Sequence, residues 1–334
     1  MNMQASRGRA KLARVLACFG IMAAVACGGG KPGEGAVVPK TSTEVSAEQI
    51  DKDPLILFPS SAIAIGTLDA KAFYESKTLG PEVAKLAEQY SPIGAEAGFS
   101  ASKDLDRITF ASYSLSGVDV LVVLAGRFDG AKLAQLAKTH GAAKSGSAIV
   151  ESTYAGRTLY TVDNVGFTIL TDKIVLAGTE TAIRRALDRI KDARAHRDVF
   201  PWMIDVIETK GAALAVAGDF KNQPLSGAAI QGMRIPATDG LTAARVVGTF
   251  QEPGMQLAGS LTYDSDANAE KGHAGFDKLV LMYRAYAGMS GTLPQLRDVT
   301  TSVEKTDVQV KFSLDDQSLR TFLTKVPQLF PPPR

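Results

Sequence analysis

The chain is poor in the residues from which compact catalytic and metal sites are most often built. Its 334 residues include two cysteines, three histidines and one tryptophan. So few cysteines exclude a disulfide-stapled mini-fold and a cysteine-rich zinc module. The charge is also nearly balanced, with 37 Lys+Arg against 35 Asp+Glu, whereas a dedicated nucleic-acid binder carries a clustered basic excess. We therefore expect no nucleic-acid partner.

Familiar catalytic motifs are missing as well. His140, His196 and His273 stand alone, without the second histidine one helical turn away that makes a metal pair. The glycines form no phosphate-binding loop, and the segment 288–292 lacks the closing glycine of a nucleophile elbow. The sequence favours a non-enzymatic protein without a cofactor. It leaves open a hydrolase whose carboxylates meet only in space.

The N-terminus has the features of a secretory signal. Four basic residues precede an apolar run from Val15 to Ala26, which is too short to span a bilayer as a helix. Small residues at 24–26 then lead to Cys27, and this arrangement resembles the lipobox of bacterial lipoproteins. The resemblance implies that residues 1–26 are removed and that acyl chains on Cys27 hold the protein in a membrane. An ordinary secretory signal with an incidental cysteine is the alternative.

The same resemblance implies a cellular location, and it changes the net charge because residues 1–26 are removed. Gly28 stands where an Asp commonly favours the inner membrane, so the implied destination is the outer membrane, facing the periplasm. Loss of the signal peptide leaves 33 Lys+Arg against 35 Asp+Glu and no free thiol. Residues 27–53 are polar and glycine-rich, which predicts a lipidated flexible tether with a reach of roughly 28 Å.

From residue 54 onward, apolar residues recur with the period of strands in some stretches and with that of helices in others. The patterns predict strands over 62–69, 107–115, 118–128, 158–162, 167–170 and 174–177, and helices over 83–90, 133–137 and 183–190. Asp129 and Thr179 are predicted N-caps of the last two helices. Hairpin strands covered by helices constitute an α+β fold.

A second series of elements repeats this order. Strands are predicted over 213–219, 245–250, 255–263 and 307–312, followed by a helix that Asp315 or Asp316 caps. The corresponding elements lie roughly 135 residues apart, except the first pair at about 150, which one deletion of roughly fifteen residues near 220–245 explains. We therefore predict two similar α+β units in tandem, produced by an internal duplication.

The predicted organisation has six parts. They are a signal peptide 1–26, a tether 27–53, an α+β unit 54–198, a connecting helix 199–209, a second α+β unit 210–326 and a Pro-rich tail 327–334. This layout resembles uncharacterised bacterial envelope lipoproteins built from tandem α+β units. The resemblance implies no catalytic residues.

Two clusters are candidate sites. Asp264, Asp266 and Asn268 place oxygen ligands at alternating positions, as at the start of a calcium loop, or form a polar loop that caps a helix beginning near Ala269. Phe200, Trp202 and Met203 offer a partner surface, or they form core at the junction of the two units.

Three functions are compatible with these features. The first is a lipid-anchored, non-enzymatic binding or assembly module of the cell envelope, with an envelope protein as partner. The second is a carrier of a hydrophobic ligand such as a lipid, which needs a large apolar cavity. The third is the carboxylate-based hydrolase, which needs acidic groups converging in a cleft.

Overall fold

The computed structural model of the chain has an α+β fold, as the sequence predicts. It describes residues 44–90, 99–115, 117–140, 148–225, 229–230, 233–234, 237–251, 254–291 and 293–329. Within these ranges no helix is both long and apolar enough to cross a membrane. Cys27 and the predicted signal peptide lie outside the described residues.

The strands form one large antiparallel sheet and one small hairpin. They are β1 Ala64–Asp69, β2 Leu105–Ser112, β3 Val120–Gly126, β4 Val150–Tyr154, β5 Arg157–Val162, β6 Val165–Ile169, β7 Ile174–Thr179, β8 Leu214–Asp219, β9 Ala229–Ile230, β10 Met233–Arg234, β11 Leu241–Phe250, β12 Gly254–Tyr263, β13 Leu296–Glu304 and β14 Asp307–Asp315. The large sheet has twelve strands in the order β13-β14-β12-β11-β8-β1-β2-β3-β7-β6-β5-β4, and β9 pairs with β10.

Nine α-helices and one 3₁₀ helix are present in the described residues. They are α1 Ala47–Lys52, the 3₁₀ helix Pro54–Leu57, α2 Ala70–Glu75, α3 Gly80–Tyr90, α4 Ala101–Asp104, α5 Gly130–His140, α6 Glu180–Lys191, α7 Pro201–Ile207, α8 Asp266–Ser290 and α9 Asp316–Leu329.

The largest core lies on the face of the sheet that α6 and α7 cover. Ile65 and Leu121 point from the strands toward Ile183 of α6 and Met203 of α7, and each of these side chains is completely buried. Because side chains alternate along a strand, the residues between them face the other side. There, smaller clusters pack against other helices, with Leu133 of α5, Ala269 of α8 and Leu319 of α9 among their members.

Strands β1 and β8 are neighbours in the interior of the sheet and pair antiparallel with each other. Gly66 lies opposite Val216, and Ala64 lies opposite Gly218. Outward from this pair the order is β2, β3, β7, β6 on one side and β11, β12, β14, β13 on the other. Counting β1 and β8 themselves, the two sides begin β1-β2-β3-β7-β6 and β8-β11-β12-β14-β13, and β5 and β4 extend only the β1 side.

The N-terminal boundary differs from the prediction, because the fold begins before residue 53. Ser46 and Gln49 form a reciprocal capping box at the start of α1. Val45 and Ile50 are buried in the largest core. The predicted tether is therefore wrong over residues 45–53, where a Ser-x-x-Gln signature already marks a helix start.

The C-terminal boundary also shifts. Asp315 accepts a hydrogen bond from the backbone N–H of Ser318 at 2.9 Å, so Asp315 is the cap of α9. The helix continues through Pro327 to Leu329, and the predicted tail therefore begins too early.

The two caps predicted in the first half have different outcomes. Asp129 accepts a hydrogen bond from the backbone N–H of Lys132 at 3.0 Å and caps α5, as expected. Thr179 occupies the N-cap position of α6, but its side chain makes no capping hydrogen bond. Its hydroxyl lies 3.3 Å from a carboxylate oxygen of Asp119 and donates to it instead.

Candidate functional site

Helix α8 is a 25-residue element whose first half lies close against the sheet. Ser265 caps its start by accepting a hydrogen bond from the backbone N–H of Asn268 at 3.3 Å. A Cβ at Gly272 would lie 2.1 Å from the Tyr263 ring, so glycine is what allows the helix to approach β12 this closely. The helix ends at Gly291, which has the left-handed φ of 60° that glycine adopts without strain.

The second half of α8 exposes a row of large apolar side chains. Leu281, Met282, Tyr286 and Met289 are 70%, 48%, 59% and 82% exposed, respectively. Met282, Tyr286 and Met289 are spaced at i, i+4 and i+7, which places them along one side of a helix. We call these four residues the α8 ridge.

The inner side of the same segment is bound to the body of the protein. Ala287 is buried, and the Tyr283 hydroxyl donates a hydrogen bond to the carbonyl of Pro294 at 2.7 Å. Burial raises the pKa of Tyr283, so this hydroxyl stays protonated and remains a donor at physiological pH. Nearer the start of the helix, Nε2 of His273 lies 2.8 Å from Oγ1 of Thr301. These contacts determine which side of α8 faces outward.

The ridge is a concentration of apolar surface. Three other large apolar residues of the described chain are exposed, and they lie apart from one another: Val118 before β3, Val150 on the edge strand β4 and Phe200 before α7. Single exposed apolar residues are ordinary on protein surfaces, whereas clusters of them commonly mark interaction sites.

Basic residues flank the ridge. Lys278 and Arg284 are both exposed, and the helix contains no acidic residue between Lys278 and its end at Ser290. A surface that fits the ridge is therefore apolar where it meets the side chains and acidic at its rim.

The predicted calcium-like cluster lies at the beginning of α8 and acts as a cap. The side-chain amide of Asn268 donates a hydrogen bond to the Asp264 carboxylate at 2.7 Å, and the Ser265 hydroxyl donates to the same oxygen at 3.0 Å. Asp266 is the first residue of the helix, which begins three residues before the predicted Ala269. Among the described residues, no group of three or more His, Cys, Asp or Glu side chains is arranged to hold a metal ion.

The predicted aromatic surface at the connecting helix is split between core and solvent. Met203 is completely buried, and Trp202 is partly buried against the largest core, while Phe200 is 46% exposed. Helix α7 packs on β1, β8 and β11, across the meeting point of the two halves. Met203 therefore belongs to the core and offers no partner surface, Trp202 packs partly against the same core, and Phe200 remains exposed.

Two shallow depressions of the described surface have volumes of about 310 and 330 Å³. Thr249, Gln256 and Lys311 are among the residues lining the first, and Arg157 and Tyr160 help to line the second. Both depressions are open and partly polar, whereas a carrier of a hydrophobic ligand needs an enclosed apolar cavity. They give the carrier hypothesis no support.

The ridge is not among the sites predicted from the sequence, although a signal for it exists. From Leu279 to Met289 the apolar residues occur on all sides of the helix. A helix that packs on one sheet can bury only one of its sides, so some of these residues must remain exposed. Which side remains exposed depends on contacts with residues distant in the chain.

Comparisons with known proteins identify a shared fold. No protein-family model matches the chain, and no curated protein matches its sequence. Crystal form IV of TP0453 matches with a TM-score of 0.50 and 11% identity, covering 81% of this chain and 96% of that one. Crystal form I of TP0453 matches with a TM-score of 0.50 and 12% identity, covering 82% and 97%. The chain is therefore similar in fold to TP0453 over most of both lengths.

Proposed function

We propose that the protein is a lipid-anchored component of the cell envelope and acts as a non-enzymatic binding or assembly module. The α8 ridge is its docking surface. One observation carries the proposal: four large apolar side chains are exposed on a helix whose inner side is packed against the body of the protein.

The occupant that fits the ridge is an apolar groove on another envelope protein. Helices that dock in grooves use anchors at i, i+4 and i+7, and Met282, Tyr286 and Met289 have this spacing. Lys278 lies one helical turn before Met282 on the same side of the helix and favours a groove with an acidic rim.

The strength of this contact is modest by itself. Burial of a large apolar side chain contributes about 1.5–3 kcal/mol, and the ridge residues are already partly buried. Three anchors therefore contribute on the order of 5 kcal/mol, which is comparable to the association cost of about 4–15 kcal/mol. A weak surface of this kind works best when both partners are held on one membrane, because tethering raises their effective concentration to about the millimolar range.

The proposed anchor is the acylated Cys27. The described fold begins at residue 44, so the linking stretch is shorter than the sequence predicts. With the flexible behaviour that its composition predicts, a stretch of about 17 residues reaches roughly 23 Å. We place the anchor in the outer membrane with the body facing the periplasm, because Gly28 follows the cysteine.

We also propose that the two halves of the sheet arose by tandem duplication. Gly66 and Val216 lie opposite one another at the centre of the β1–β8 pair, as a two-fold axis through that point requires. The five strands nearest this axis follow matching orders, β1-β2-β3-β7-β6 and β8-β11-β12-β14-β13, while β5 and β4 extend only the first side. The 2-residue strands β9 and β10 lie in the region where the deletion is predicted.

Photocrosslinking in intact cells tests the docking proposal. A photoreactive aromatic amino acid at position 286 should form an adduct with a discrete protein, and the same group at Val150 should not. Val150 is the matched control, because it is 55% exposed on the far edge strand. Serine at both Met282 and Met289 should abolish the adduct.

Two outcomes contradict the proposal. Equal adducts from positions 286 and 150 would mean that the ridge has no special role. Adducts with lipid alone would assign the ridge to the bilayer rather than to a protein groove. The anchor is tested separately by mass spectrometry of the mature N-terminus, where an unmodified cysteine, or cleavage elsewhere, refutes it.

A further inference from the structure

We infer that Met282 and Met289 are oxidation sites at which a peroxide switches the ridge from apolar to polar. Met289 is 82% exposed and Met282 is 48% exposed. Met203 and Met255 are 0% and 5% exposed and lie within cores. The regulatory part of this inference rests on the proposed docking function, whereas the site selectivity does not.

The reaction is an oxygen transfer to the thioether sulfur. A sulfur lone pair attacks one oxygen of the hydroperoxide, an S–O bond forms and the O–O bond breaks. The other oxygen leaves with both electrons of that bond and takes up the remaining proton, so that hydrogen peroxide yields water. The sulfur is oxidised by two electrons and the peroxide is reduced by two, and the product is methionine sulfoxide.

The position of the two sulfurs gives this oxidation a specific effect. Met282 and Met289 lie one helical turn to either side of Tyr286, so both sulfoxides flank the middle of the ridge. On the free protein the added sulfoxide oxygen is exposed to water. Oxidation of these two methionines therefore leaves the fold intact. In an apolar groove that oxygen loses its water, and we expect docking to weaken about tenfold or more. Methionine sulfoxide reductases reverse the change.

Mass spectrometry of the folded, full chain after mild treatment with hydrogen peroxide tests the selectivity. Peptides containing Met282 and Met289 should gain one oxygen each, while those containing Met203 and Met255 stay unmodified. The same treatment in denaturant should oxidise all four, which shows that burial is the cause. Equal rates for all four residues in the folded protein would overturn the inference.

The effect on docking is measured by the adduct formed from position 286. Peroxide should lower its yield about tenfold in the unaltered chain, and a sulfoxide reductase should restore it. With Met282→Leu and Met289→Leu combined, the yield after peroxide should equal that variant's own untreated yield. If the adduct yield of the unaltered chain stays the same after both methionines are fully oxidised, the proposed regulation is wrong, but the docking proposal is not affected. Absence of an adduct before oxidation instead refutes the docking proposal, and the regulation with it.

Discussion

Replacing Arg189 with alanine would remove a buried cation that joins three segments of the fold. The Arg189 side chain is only 4% exposed. Its Nε donates a hydrogen bond to the carbonyl of Ile56 at 2.8 Å, and Nη2 donates to the carbonyl of His196 at 2.6 Å. Nη1 forms an ion pair with Asp198. Through Arg189, helix α6 is therefore bonded both to the 3₁₀ helix near the N-terminus and to the segment that leads into α7.

The magnitude follows from these contacts. Two carbonyls would each lose a donor, at about 1–3 kcal/mol for a buried group. Asp198 would lose its cation, although it is 22% exposed and keeps Nε2 of His196 within 2.8 Å. Removing one partner of a buried ion pair typically costs about 3–5 kcal/mol. We therefore expect Arg189→Ala to lower the free energy of unfolding by about 3–5 kcal/mol at neutral pH.

Equilibrium unfolding in urea, followed by circular dichroism, measures this loss. Arg194→Ala is the matched control, because Arg194 is 53% exposed and pairs with Asp192 at 3.2 Å on the same stretch of chain. An exposed pair contributes at most about 1 kcal/mol. Arg189→Lys should fall between the wild type and Arg189→Ala, since an ammonium lacks the guanidinium fork. A loss for Arg189→Ala no larger than that for Arg194→Ala would refute the reasoning.

Three further predictions concern other parts of the chain. Ile50→Ala should destabilise the protein by about 2–5 kcal/mol in urea unfolding, because Ile50 is completely buried; a flexible tether at this position would leave stability unchanged. Burial raises the pKa of Glu88, but hydrogen bonds from Ser102 and Ser100 outweigh it and bring the pKa below its usual value. This stabilisation is present above the unfolded pKa of about 4.3 and is lost as the pH falls through the lower folded pKa. Glu88→Gln should therefore reduce the acid-induced drop of the urea midpoint, and an unchanged acid profile would count against the assignment. Met289→Ser should change the thermal midpoint little, because its side chain is 82% exposed; a large fall would mean that Met289 supports the fold.

Much of the local structure could be predicted from the sequence, because it depends on neighbouring residues. The apolar stripe of α6 reflects a single buried face, which short-range periodicity reveals. Asp129 was identifiable as a cap for the same reason, since capping joins residues three apart. The strand β4 was missed because Val150–Tyr154 alternates only weakly and has no fully buried residue.

The long-range features could not be predicted in the same way. The pairing of β1 with β8 joins residues about 150 positions apart, and no local pattern specifies it. Residues 45–53 are mostly polar, and only Val45 and Ile50 show that this segment is part of the core. The ridge was missed because the exposed side of α8 is set by contacts such as the one between Tyr283 and Pro294.

The most direct test of the proposed docking function is the ratio of adduct yields from positions 286 and 150 in intact cells. We expect position 286 to give a single protein adduct at least about ten times more abundant than any from position 150, because only the ridge enters a groove. Equal yields at the two positions, or adducts with lipid alone from position 286, would contradict the account.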